Sequence, residues 1–273
     1  MMTPTKSDDW YSLYLGRCLD VMPFLAPASV DVVLCDLPYG TTQNAWDIVI
    51  PFAPLWAEYA RVTKSNAAFL FTASQPFTSE LVMSKKAWFK HEWIWKKNTA
   101  TGHLNAKVMP MKQHENVLVF ARDACPYFPQ GLLPFNKMAH RGGSGGNFGE
   151  AGTENFQEFT NYPRSILNYD SVVNTEHSTE KPVSLMSYLI RTYSRIGATV
   201  LDNTMGSGST GVAALRCHRR FIGIESDDNH FSTAANNMEQ TTTLVKEDIE
   251  RCHLSLDKAR DEAYYNLFQP ELF

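Results

Sequence analysis

The stretch Thr199-Val-Leu-Asp202-Asn-Thr-Met-Gly206-Ser-Gly208-Ser-Thr-Gly211-Val-Ala-Ala constrains the fold more than any other part of the chain. A short apolar run ends in an acid, and glycines follow in the order G-x-G-x-x-G as a helical run begins. Set between a strand and a helix, that pattern lets the backbone turn tightly and approach a ligand, with helix amides pointing into the crevice at the strand's carboxyl end. About twenty residues on, Phe221-Ile-Gly-Ile-Glu225 closes a second apolar run in an acid, which suits hydrogen bonds to a ribose diol. A plain βα turn with a surface glutamate has the same outline, and the ligand could be a dinucleotide or any adenosine compound. A P-loop is excluded here, because no Gly-Lys-Ser/Thr follows.

Strand and helix signals alternate through the rest of the chain, which predicts an α/β architecture with a mainly parallel sheet. Strands are expected over 11–15, 30–35, 67–72, 91–95, 115–120, 199–202 and 221–225. Helices are expected over 18–25, 52–62, 76–86, 183–195, 209–217 and 228–238. Between 122 and 176 prolines, glycines and polar residues predominate, so that part is expected to be irregular. The last thirty residues or so read as an amphipathic helical tail.

Composition narrows the class. Five scattered cysteines, none spaced C-x-x-C, argue against a disulfide framework or a zinc site and for a reducing compartment. No apolar run suits a secretory signal or a membrane span, so a soluble, cytoplasmic protein is expected. The formal net charge of −4 argues mildly against a nucleic-acid binder, but charge is uneven. Residues 85–114 hold seven lysines against one acid, Glu92, which permits a local phosphate-binding face.

A second motif lies upstream. The strand-like run from Val30 ends in Asp36-Leu37-Pro38-Tyr39-Gly40, a carboxylate and an aromatic ring on a stiff turn. Together with Asp202 through Gly208 and His177-Ser-Thr179-Glu-Lys181-Pro, it resembles the amino-group DNA methyltransferases that use S-adenosylmethionine. The catalytic motif precedes the cofactor loop, which is similar to the β permutation class of that family. The family's first motif proline is replaced here by Leu37, which still precedes Pro38 and is biased toward extended geometry.

The resemblance implies a Rossmann-like methyltransferase fold, a seven-stranded, mostly parallel sheet with helices on both faces and a small irregular insert. It divides the chain into a circularly permuted catalytic domain (1–121 and 177–240), a target-recognition insert (122–176) and a C-terminal helical tail (241–273). It implies methyl transfer to adenine N6 of a flipped base on double-stranded DNA, with cytosine N4 as the alternative, and RNA-base methylation or a non-catalytic, cofactor-binding DNA regulator as more distant ones; homodimers are common in the class. Asp36 and the Leu37 carbonyl would accept the two N–H bonds of the target amine, pushing electron density onto a nitrogen whose lone pair is otherwise delocalised. Tyr39 would stack on the flipped base. Gly206, Gly208 and Ser209 would approach the cofactor, Asp202 its amino-acid end and Glu225 its ribose, while Thr179 and Lys181 would bind its carboxylate. The mixture of lysines, amides and aromatics around Trp95 makes Lys96, Lys97 and Asn98 candidate DNA contacts, with Arg141 from the glycine-rich stretch.

Overall fold

Along the interior strands successive side chains feed two separate apolar layers. Val32, Leu34, Ala68, Leu70, Val117, Val119 and Val200 pack into one. Val33, Cys35, Phe69, Phe71, Leu118, Phe120 and Leu201 pack into the other. A strand buried on both faces must read as a continuous apolar run, which is how these segments appear in the sequence. The computed structural model describes residues 2–42, 44, 47–140, 154–171 and 180–252.

The strands are β1 (Lys6–Ser7), β2 (Tyr11–Leu15), β3 (Val30–Asp36), β4 (Thr63–Ala73), β5 (Phe89–Thr101), β6 (Lys112–Ala121), β7 (Leu133–His140), β8 (Glu154–Thr160), β9 (Ile166–Asn168), β10 (Thr199–Asp202) and β11 (Arg220–Glu225). The helices are α1 (Cys18–Val21), α2 (Phe52–Val62), α3 (Phe77–Ser84), α4 (Val183–Tyr193), α5 (Ser209–Arg216) and α6 (Asp228–Cys252). Helices α4, α5 and α6 cover the first layer through Leu189, Ala213 and Met238. Helices α1, α2 and α3 cover the second through Val21, Tyr59 and Leu81.

The main sheet runs β1-β2-β11-β10-β3-β4-β6-β5-β9. It has nine strands rather than the expected seven, and the two additions are the short edge strands β1 and β9. Within the inner seven, β2, β11, β10, β3 and β4 pair in parallel. β6 runs antiparallel to both β4 and β5, so it alone of the seven is reversed. Its first residues therefore lie at the edge where β3 and β10 end.

The stretch 122–176 departs from the expected irregularity. β7 and β8 form a separate antiparallel ribbon, and β9 joins the main sheet beside β5. Pro134 within β7 and the turn residues around both strands mask the period of two, and Leu133, Met138 and Phe156 remain exposed. The glycine-rich run 141–149 lies outside the described residues. At the other end, α6 continues without a break through 240, past the expected start of a separate tail. Among the described residues no helix is long and apolar enough to cross a membrane.

Candidate active site

β3 and β10 are sheet neighbours, with Val32 opposite Val200 and Val33 opposite Leu201. The two sequence motifs therefore leave the sheet side by side at its carboxyl edge, where open α/β sheets place their ligands. One hydrogen bond joins them: the Thr204 hydroxyl donates to the Asp36 carbonyl at 3.1 Å across 168 positions of sequence.

Asp36 is a crowded acceptor. Tyr39 donates its hydroxyl to Oδ1 at 2.7 Å, and Thr72, at the end of β4, donates to the same oxygen. Lys181 pairs with Oδ2. A carboxylate offers about four acceptor positions, so the described residues leave one position on Oδ2 open. The Tyr39 ring stacks on Phe77 with centroids 5.1 Å apart and planes at 25°. Burial, and then the Asp36 carboxylate, push the Tyr39 hydroxyl well above its ordinary pKa, so it stays a donor. Leu37 turns into the core and is 3% exposed.

Lys181 belongs to a larger charge cluster. It lies 3.8 Å from Glu115, at the start of β6, and Glu115 accepts from Lys97 at 2.5 Å. Burial would pull the Lys181 ammonium down, but Asp36 and Glu115 outweigh it and leave its pKa above the usual value. Glu115 is buried, and its Oε2 has no hydrogen-bond partner among the described residues. The turn after Tyr39 is held by Asp47, which accepts from the backbone amides of Gly40, Thr41 and Thr42 at 2.8, 2.9 and 2.7 Å. Burial alone would raise the Asp47 pKa; these donors bring it below its ordinary value.

On the cofactor-loop side, Asp202 is 3% exposed, and burial pushes its carboxyl up to about 7. The Thr204 amide donates to it at 3.0 Å. Gly206 sits in the left-handed region, with open space where a side chain would begin. Gly208, also left-handed, opens α5, and Ser209 is buried beside it. Glu225 binds its own loop: it accepts from the Gly206 amide at 2.9 Å and from the Ser226 and Asp227 amides at 2.7 and 2.9 Å. Asn203 accepts from Tyr59 at 2.6 Å and Cys35 at 3.0 Å, while its buried amide nitrogen has no described partner.

The structure thus brings Asp36, Leu37, Pro38, Tyr39, Lys181, Asp202, Gly206, Gly208, Ser209 and Glu225 to one edge. Two of the candidate side chains are engaged within the protein. Lys181 is engaged by Asp36, and Lys97, expected on a phosphate, is engaged by Glu115 because a buried carboxylate needs a counter-charge. Lys96 is exposed, and Asn98 accepts from the Ser171 amide at 3.1 Å. Thr179 and Arg141 lie outside the described residues. Thr72, Glu115 and Asp47 were not among the sequence candidates.

A family model described as DNA methylase matches residues 30–236. The chain is 48% identical to the YubD protein of Escherichia coli (strain K12) over 235 residues, 77% of this chain and 82% of YubD. It is 25% identical over 255 residues to YhdJ of the same organism, a DNA adenine methyltransferase, covering 86% of this chain and 85% of YhdJ. Among solved structures, the cytosine-N4-specific PvuII DNA methyltransferase shares the fold with a TM-score of 0.61 at 14% identity, over 89% of this chain and 94% of that one.

Proposed function

We propose, because this chain belongs to the DNA methylase family, that it transfers a methyl group from S-adenosylmethionine to adenine N6 of a base turned out of duplex DNA. S-adenosylmethionine supplies an electrophilic methyl group on a sulfonium. The residues at the cofactor loop fit such a ligand: open space at Gly206 and a buried carboxyl at Asp202. Asp202 would accept from the cofactor's ammonium, and Gly206, Gly208 and Ser209 would line its approach. Glu225 retains one acceptor position on Oε2 for a ribose hydroxyl, since the other three are filled by amides.

The observation that carries the reading is the Thr204–Asp36 hydrogen bond, which ties the acceptor motif to the cofactor loop. The open position on Asp36 Oδ2 would take one N–H of the target amine, and the Leu37 carbonyl the other. Both acceptors strengthen as positive charge grows on the nitrogen, so they favour the transition state over the ground state. Tyr39, backed by Phe77, offers a rigid platform for a base. The methylated amine is strongly acidic and releases its proton to Asp36 or to solvent.

The aspartate that opens the motif is associated with adenine within the family, and YhdJ, named for adenine, supports that choice. The likeness to the PvuII enzyme keeps cytosine N4 as the second reading. Incubation with unmodified duplex DNA, followed by nucleoside mass spectrometry, separates them: N6-methyladenine is expected, and N4-methylcytosine as the sole product overturns the adenine assignment. Asp36→Ala should abolish transfer while S-adenosylmethionine still binds in calorimetry. An active Asp36→Ala protein would sink the proposed chemistry.

A further inference from the structure

β5 and β6 do not stop where the sheet does. Beyond the pairs Lys96–Asn168 and Ala73–Asn116 neither strand has another sheet neighbour among the described residues, yet after an irregular stretch between Lys96 and Thr101 the two pair again, Thr101 opposite Lys112. The connection is a built turn. Gly102 takes the left-handed conformation, and amides of Asn105, Ala106, Val108 and Met109 donate to carbonyls of residues 102, 103 and 105 at 2.9–3.1 Å. The base of this ribbon is fastened to the catalytic edge. Lys97 pairs with Glu115, next to Lys181 and Asp36, and Lys112 donates to Ser74, two residues after Thr72.

The tip exposes what a protein normally hides. Leu104 is 98% exposed and Val108 80%, with Met109 at 57%. Residues 93–114 hold four lysines and no acid, so this apolar tip stands on a lysine-rich stem, of which Lys97 is paired with Glu115 at the base. Turning a base out of a duplex leaves a gap in the stack, and apolar side chains inserted between base steps are a general way for proteins to open and hold one. Lysines flanking such a wedge meet phosphates. A second copy of this chain is a poorer occupant, because a self-complementary contact through this ribbon would set lysines against lysines.

We propose that residues 97–112 form a DNA-inserting finger. Leu104 and Val108 enter the base stack beside the nucleotide that is turned out, and Lys96 and Lys107 hold the neighbouring phosphates. This rests on the reading of the chain as a DNA methyltransferase. Because both tip side chains are exposed, replacing them leaves folding intact. The test compares wild type, the double variant Leu104→Ser/Val108→Ser and the single variant Leu104→Phe on unmethylated duplex genomic DNA. It follows tritiated methyl transfer, S-adenosylmethionine affinity and sedimentation. The double variant should lose about tenfold or more in turnover at saturating DNA. Its cofactor affinity and sedimentation should be unchanged, and Leu104→Phe should retain transfer. A loss below about threefold overturns the finger, as does failure of Leu104→Phe to retain transfer. A change of the double variant from dimer to monomer overturns it too, and assigns the tip to self-association. Wild type that methylates no DNA overturns the underlying function instead.

Discussion

Asp202 shows how one residue can carry a measurable signature of its site. Its carboxyl is buried at the end of β10 and is pushed up to about 7 by desolvation. In the unfolded chain an aspartate ionises near 3.9. Between those values the native state holds the extra proton, so stability falls as pH rises from about 4 to about 7 and stays low above that. Asp202→Asn keeps an acceptor for the Thr204 amide and removes the titration. It should raise the melting temperature at pH 8, by relief on the order of 4 kcal/mol, and leave it nearly unchanged at pH 4 in scanning calorimetry. A difference independent of pH would mean that the carboxyl is not the buried acid the structure places there. Asp202, like Asp36 and Tyr39, was legible because its motif is contiguous. Thr72, Glu115 and Asp47 were not, since a threonine or an acid gains meaning only from partners brought near by folding. Asp36 finds Thr72 36 positions away, and nothing local marks that pairing.

At the scale of elements, the cofactor loop and α5 separate ligand approach from packing. Gly206 and Gly208 both have positive φ, so a side chain at either costs about 1–2 kcal/mol of backbone strain. They differ in what a Cβ would meet: nothing within 4 Å at Gly206, but Ala234 at 3.1 Å and Met238 at 3.2 Å on α6 at Gly208. Gly208→Ala should therefore lower the melting temperature more than Gly206→Ala. Gly206→Ala should instead weaken S-adenosylmethionine binding out of proportion to its stability loss, at least about tenfold by calorimetry. If both variants lose stability and affinity in the same ratio, Gly206 is only a turn. The helices and buried strands of this region were readable from period and glycines. β5 was read too short because its outer half, Lys96 to Thr101, is mostly polar and pairs with β6 only at its two ends, around a register shift, with no core beneath it. The β7–β8 ribbon escaped for a related reason: it contributes little to either apolar layer, so composition rather than periodicity dominates its sequence.

For the whole molecule, chain order and spatial order are decoupled. The Asp36–Tyr39 motif comes first in sequence and the glycine loop from Asp202 last, yet β3 and β10 are adjacent, and Lys6 on β1 reaches Glu239 on α6 at 2.7 Å. That contact and the Lys246–Asp8 pair at 3.0 Å are exposed and worth little, about 0.5 kcal/mol each. The cluster around Lys181 is of another kind. It joins the segment before α4 to the ends of β3 and β6, and most of it is shielded from water. Removing the ammonium leaves Asp36 without its cation, while Glu115 keeps Lys97, and breaking a largely buried pair from one side costs about 3 kcal/mol. Lys181→Met should thus lower the melting temperature by roughly 5–10 °C, against a degree or so for Lys6→Met. Neutralising the stranded acid should return part of the loss, so Lys181→Met/Asp36→Asn should melt above Lys181→Met alone. If the double variant instead shows the sum of the two single losses, Lys181 and Asp36 are not coupled. The charge cluster would then not be what binds the acceptor edge of the sheet to the rest of the fold.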